Sequence, residues 1–131
     1  MPTRPLSPHL SVYRMFRYTL ATSFANRATG VALSAGLVLL VYWLMSVAGG
    51  AHSYARAVRV LTSPLARLIY AGLIISFCYH LVAGVRHLVW DTGHGLERAQ
   101  AQKSAWLVIT LSIVLIVLIS YRVWLIGARS P

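Results

Sequence analysis

The sequence predicts an all-α membrane protein whose three transmembrane helices pack as a bundle. Of its 131 residues, 58% are hydrophobic and only 11% are charged, which departs from the average composition of soluble domains. Charged side chains are absent from three stretches, 28–55, 68–85 and 104–121. A helix of ~20 apolar residues crosses the hydrocarbon core of a bilayer, so each stretch predicts one span.

Turn and cap signals set the expected boundaries. The first helix should end at the pair Gly49 and Gly50, and Pro64 suits the first turn of the second. Residues 1–22 are basic and interrupted by prolines, which predicts an N-terminal arm before a transmembrane domain over 23–131. The expected helices are about 23–49, 64–90 and 105–126, joined by loops at 50–64 and 91–103. The arm lacks the apolar core of a signal peptide, so the first span should insert uncleaved.

The net charge of +10 arises from 12 Lys and Arg against two acids, Asp91 and Glu97. Most Arg residues flank the spans, which suits lipid head groups or docked subunits, and no soluble basic domain exists to hold nucleic acid. Slightly more basic residues lie on the side of the arm. By the positive-inside tendency, this favours an N-terminus on the cytoplasmic or matrix side. We expect a multi-pass protein of the inner (cytoplasmic) membrane with a cytoplasmic N-terminus. Cys78 is the single cysteine, which excludes an internal disulfide.

The second helix carries a polar stripe inside the membrane. Helical spacing places five residues on one face: Ser76, His80, Gly84, His87 and Asp91. A histidine at membrane depth needs a partner, and it could simply hydrogen-bond a neighbouring helix. It could also be an axial ligand of haem iron, with Gly84 allowing a flat macrocycle to approach. His87 lies about 10 Å further along the helix, too far to share that iron, but it could meet a haem propionate or bond a carbonyl.

A second polar group begins the first helix. Ser23 and Arg27 are spaced i, i+4, and Asn26 is adjacent. Arg27 could extend to lipid head groups. Alternatively, the hydroxyl and the guanidinium could donate hydrogen bonds to the carbonyl oxygens of a quinone.

Three motifs together resemble the cytochrome b membrane-anchor subunit of succinate dehydrogenase, in its mitochondrial and proteobacterial branch. They are "RPLSPHLSVYR" at 4–14, "SFANRATGVALSAG" at 23–36 and "HLVAGVRHLVWDTGHGL" at 80–96. The order is that of the family, and the motifs span most of the first hundred residues. The third helix carries little motif of its own.

The resemblance implies a role for each matching residue. Ser23 and Arg27 match the ubiquinone-site serine and arginine, and His80 matches the axial ligand of haem b. His87 matches a histidine near the haem propionates, and Asp91 would face the iron-sulfur subunit. Where the family usually has histidine before the arginine, this chain has Asn26. Asparagine can still hydrogen-bond a propionate or a quinone, but it cannot carry charge.

The implied complex is respiratory complex II, which links the tricarboxylic acid cycle to electron transport. Its flavoprotein and iron-sulfur subunits would dock on this chain, and a second hydrophobic anchor subunit would supply the other haem ligand. This chain has no catalytic carboxylate pair or nucleotide loop, so we expect it to oxidise no succinate alone. The alternatives are a haem b anchor of a fumarate reductase or hydrogenase, a small transporter or a membrane scaffold. A proton-coupled transporter would usually place an acid within a span, and both acids lie outside.

Overall fold

The computed structural model describes residues 17–129, with side chains over 20–127, and this part of the chain is α-helical without strands. The helices are α1 (Arg17–Ala48), α2 (Ala51–Leu61), α3 (Pro64–Asp91) and α4 (Arg98–Arg129). Helices α1, α3 and α4 each hold a segment long and apolar enough to cross a membrane. The predicted fold class is therefore confirmed.

Two long helices begin earlier than the sequence predicts. Helix α1 starts at Arg17, so residues 17–22 of the predicted arm are helical, while residues 1–16 lie outside the described part. Helix α4 starts at Arg98 instead of near 105 because the segment 98–103 is rich in Ala, Gln, Arg and Lys, which are good helix formers. Charge marks where a helix leaves the hydrocarbon, but it does not end the helix.

The expected loop at 50–64 is wrong for most of its length, because α2 occupies it. Helix α2 is amphipathic. Ala57 is buried at 1% exposure, whereas Arg56 and Arg59 are exposed. Gly50, with φ of 83°, occupies the left-handed region that only glycine adopts easily, and it allows the chain to turn between α1 and α2. Helix α2 is short and contains charged residues, so the long uncharged stretches that predict spans could not indicate it.

Helix α3 is central and packs against both α1 and α4. Its start agrees with the sequence: Ser63 is the N-cap, and its hydroxyl accepts a hydrogen bond of 3.3 Å from the amide of Ala66. Pro64 follows in the first turn, where its missing N–H leaves no carbonyl unpaired.

The buried residues are small, so the helices approach closely. They are Ser46, Ala57, Ala66, Cys78, Ala83, Ala105, Val108 and Ser112. A Cβ added to Gly36 on α1 would lie 2.8 Å from Cδ2 of Leu73 on α3, closer than atoms can pack. Most large apolar side chains are exposed, as expected where the surroundings are lipid or another apolar chain.

We expect Ala105→Leu to destabilise the packing of α4 on α3. Ala105 is 2% exposed, and overfilling a packed interface costs about 1–3 kcal/mol. The thermal midpoint of the purified protein in detergent should fall. Ala99→Leu, the same change at an exposed position of the same helix, is the control. Equal midpoints for both variants would contradict the close packing at Ala105.

Candidate functional site

Polar side chains line the interface between α1 and α3 near the end of the bundle where α1 begins. On α1 they are Thr22, Ser23, Asn26 and Thr29, and on α3 they are Tyr79, His80, Arg86 and His87. The spacing of three, four and seven residues within each set places its members on one face. Because the helices run antiparallel, the start of α1 meets the end of α3.

His80 is held by its Nδ1 atom against α1. This atom lies 3.2 Å from the hydroxyl oxygen of Thr29 and 3.2 Å from the carbonyl oxygen of Asn26. Gly30 allows this approach, because a Cβ there would lie 3.2 Å from Cε1 of His80. One of the two ring nitrogens of His80 is therefore hydrogen-bonded to a neighbouring helix, as the simpler of the two interpretations expects.

The Asn26 carbonyl determines which nitrogen of a neutral His80 carries the proton. A carbonyl oxygen only accepts hydrogen bonds, so Nδ1 must be the donor. The proton on Nδ1 leaves Nε2 with its lone pair, which is the form in which imidazole binds a metal. A metal-binding histidine typically donates its other N–H to a backbone carbonyl in this way. The environment of His80 therefore suits an axial ligand.

Two further features are compatible with a bound group beside His80. A Cβ added to Gly84, one turn further along α3, would meet no described atom within 4 Å apart from the adjacent residues and backbone of α3 itself, so that space is open. Oδ1 of Asn26 is buried and has no hydrogen-bond partner among the described residues. Within residues 17–129 no three His, Cys, Asp or Glu side chains cluster as a metal site. The residues around His80 therefore fit a haem group to which His80 would supply one ligand and a residue outside this part of the interface the other.

A cavity of about 120 Å³ lies at the same end of the α1–α3 interface. It is lined by Thr22, Ser23, Tyr79, Ala83, Arg86, His87 and Trp90. It thus brings together Ser23 and His87, but Arg27 is exposed and not part of the lining. Pockets for small molecules usually measure ~300–1,000 Å³, so this cavity alone is too small for a quinone ring. It can form only part of the wall of such a pocket.

Tyr79 and Arg86 hold the walls of this cavity in place. The Tyr79 hydroxyl donates a hydrogen bond of 3.1 Å to the carbonyl oxygen of Thr22, which joins α3 to α1. Arg86 donates from Nε to the Ser104 hydroxyl at 2.9 Å and from Nη2 to the Ala101 carbonyl at 2.8 Å, which joins α3 to α4. These hydrogen bonds satisfy polar groups that lipid tails, which offer no donors or acceptors, could not satisfy.

The Trp90 ring completes this arrangement. The Arg86 guanidinium lies 4.1 Å from the ring centroid, and the indole N–H donates to the Gly95 carbonyl at 3.1 Å, which ties down the loop between α3 and α4. His87 meets the same ring edge-on, with centroids 5.3 Å apart. Asp91 is exposed at the adjacent end of α3, where a docked subunit could reach it.

Sequence reasoning missed Thr29, Tyr79, Arg86 and Trp90. The spacing i, i+4 of Arg86 and Trp90 was a usable signal, because such a pair faces one side of a helix and suits a cation–π contact. Thr29 gave no signal of its own, because a threonine in an apolar helix commonly bonds its own backbone.

Comparisons with known proteins identify the family of this chain. The profile of the family described as succinate dehydrogenase/fumarate reductase transmembrane subunit matches residues 1–119. The cytochrome b556 subunit of succinate dehydrogenase from Paracoccus denitrificans is 46% identical over 115 residues, covering 88% of each chain. The mitochondrial cytochrome b560 subunit from Sus scrofa is 37% identical, covering 85% of this chain and 66% of that longer relative. The corresponding b556 subunit of Rickettsia prowazekii is 33% identical, covering 88% of this chain and 90% of the relative. The resemblance indicated by the motifs is thereby confirmed.

We expect Arg86→Lys to loosen the loop between α3 and α4. Lysine keeps the charge, but its single ammonium group cannot replace both the Nε and Nη2 donors while it also stacks on the Trp90 ring. Losing these contacts should make cleavage by a glutamate-specific protease after Glu97, the only glutamate, roughly five- to thirtyfold faster in the detergent-purified protein.

The control is Arg122→Lys, an exposed arginine near the opposite end of the bundle. Its cleavage rate should match that of the parent chain. An unchanged rate in Arg86→Lys would show that the two hydrogen bonds contribute nothing to holding the loop.

Proposed function

The chain belongs to the succinate dehydrogenase/fumarate reductase transmembrane subunit family, and we propose that it is the cytochrome b anchor subunit of a succinate dehydrogenase. In this role it holds the flavoprotein and iron-sulfur subunits at the membrane and forms part of the site where electrons from succinate reach ubiquinone. The observation that carries the proposal is His80, whose Nδ1 is engaged by α1 and whose Nε2 retains its lone pair.

His80 is the proposed axial ligand of haem b, which would supply a one-electron store within the membrane. His87 cannot be the second ligand to the same iron, since it lies about 10 Å further along α3. We propose that the second ligand comes from the other hydrophobic anchor subunit. The broad exposed apolar surface of this bundle suits such a neighbour.

Asn26 and His87 are proposed to lie around the haem propionates. The orphan Oδ1 of Asn26 supports this role for its amide, because the oxygen is buried without a partner. Turning the amide by 180° would present its NH₂ group as a donor to a carboxylate. His87 is exposed apart from its contact with Trp90, so it has room to meet a group outside this chain.

Ser23 and Arg27 are proposed to bind ubiquinone at the same end of the bundle. Ser23 lines the small cavity, while Arg27 is exposed on the next turn of α1. A quinone placed between them and a second subunit would receive hydrogen bonds from a hydroxyl and a guanidinium. The pocket is then shared, with this chain contributing one wall and the partner subunits the rest.

The proposed orientation and location rest on the same arrangement. If the soluble subunits dock where α1 begins and α3 ends, that end faces the cytoplasm, as the basic residues favour. The protein then lies in the inner (cytoplasmic) membrane. An anchor of a fumarate reductase is the second candidate, because the family description includes that enzyme.

His80→Leu in the purified complex should abolish the b-type absorbance in a reduced-minus-oxidised spectrum, because leucine offers no lone pair to iron. His87→Leu should keep that absorbance, because His87 does not ligate the iron, and it serves as the matched variant on the same helix face. If the spectrum is unchanged in His80→Leu and lost in His87→Leu, the ligand assignment is wrong.

Ser23→Ala and Arg27→Ala should each slow ubiquinone reduction by succinate. Losing one charge-assisted donor costs roughly ten- to a hundredfold for Arg27, and losing the neutral hydroxyl of Ser23 costs less. Reduction of a soluble dye that accepts electrons before the membrane should continue at the parent rate.

Arg122→Ala, which removes an exposed arginine near the opposite end of the bundle, is the control and should leave both rates unchanged. If quinone reduction is untouched in Ser23→Ala and Arg27→Ala, the pocket lies elsewhere. If both rates fall while cofactor content is complete, the residues act on the whole complex instead of on the quinone.

A further inference from the structure

We propose that Thr29 is a positioning residue for the haem ligand: its hydroxyl oxygen accepts the Nδ1–H of His80 and so helps to set the haem potential. The inference rests on the proposed function, in which His80 binds haem iron. Thr29 lies on α1, 51 residues before His80, and the two side chains meet at 3.2 Å.

The Thr29 hydroxyl is arranged as an acceptor. It donates its only proton to the backbone of α1, at 2.8 Å from the Ala25 carbonyl and 3.0 Å from the Asn26 carbonyl. A hydroxyl that has donated its proton still has lone pairs. These lone pairs can accept a hydrogen bond from His80.

The opposite arrangement is unfavourable. If Thr29 donated its proton to Nδ1, the lone pair of Nδ1 would also face the Asn26 carbonyl oxygen at 3.2 Å. Two lone pairs would then meet in an environment where water cannot separate them. With the proton on Nδ1, both Thr29 and Asn26 become acceptors of one shared hydrogen bond.

No carboxylate competes for this role. Asp91 and Glu97 are the only acids of the chain. Asp91 is the last residue of α3 and Glu97 follows in the loop, so both lie well beyond His80. The described groups that face Nδ1 are therefore a hydroxyl and a carbonyl, both neutral. Gly30 adds a steric limit, because a Cβ at this position would lie 3.2 Å from Cε1 of the ring.

A hydrogen bond from Nδ1–H to an acceptor makes the imidazole more basic at Nε2. A more basic ligand stabilises the more positive, oxidised iron, so it lowers the reduction potential. Removing the Thr29 acceptor while keeping the Asn26 carbonyl should therefore raise the potential without removing the ligand.

Thr29→Val tests this inference in the purified complex. Valine keeps the branched shape of threonine and lacks only the hydroxyl. In an optical redox titration, the haem midpoint should become more positive, so that at a fixed ambient potential the ratio of reduced to oxidised haem rises roughly two- to tenfold. Thr29→Ser keeps the hydroxyl and should retain the parent midpoint.

Every outcome of this pair is informative. An unchanged midpoint in Thr29→Val, or an equal shift in both variants, would overturn the role of the hydroxyl. If Thr29→Val loses haem, retention by Thr29→Ser supports the inference, and loss from both overturns it. Failure of the haem assignment itself is recognised separately, by a b-type spectrum that survives in His80→Leu.

Discussion

The contact between His80 and α1 is the interaction on which this end of the bundle depends. A polar ring within a membrane span must find its hydrogen bonds inside the protein, because lipid provides none. The Asn26 carbonyl and the Thr29 hydroxyl supply them at 3.2 Å each. The approach is possible because Gly30 leaves room for the ring edge.

The two halves of the α1–α3 interface differ in chemistry. Towards the turn with α2, the contact is apolar and close, as between Gly36 and Leu73. Towards the start of α1, hydroxyl, amide, phenol and imidazole groups replace the apolar ones. The apolar half holds the helices together by close packing, whereas the polar half joins them by hydrogen bonds and also offers groups to a ligand or a partner. In the proposed anchor, the redox groups would lie in the polar half, nearest to the docked soluble subunits.

Arg86 shows how a charged residue can serve structure beside a candidate site. Its guanidinium is committed to Ser104, to the Ala101 carbonyl and to the Trp90 ring. Such a residue has few donors left for a ligand, although it lines the cavity. Arg27 is the opposite case, exposed and outside the cavity lining, so a second subunit could complete a pocket around it.

Much of the architecture could be predicted because the membrane imposes local rules. A stretch without charge that is ~20 residues long predicts a span, and Pro64 marks a helix start, wherever the rest of the chain lies. The same rules failed at 51–61 and at 98–104. Both segments are charged and still helical, so the charged residues that end an apolar stretch do not mark the end of a helix.

The sequence by itself determined the number of apolar spans, the placement of His80 within one of them, and, through its motifs, the family. Only the tertiary structure decided which nitrogen of His80 faces α1, that Thr29 is its neighbour, and that Ser23 lines the cavity while Arg27 does not. Spans depend on composition within one segment. A hydrogen bond between residues 51 positions apart depends on how two helices rotate and slide against each other, and packing of small side chains decides that.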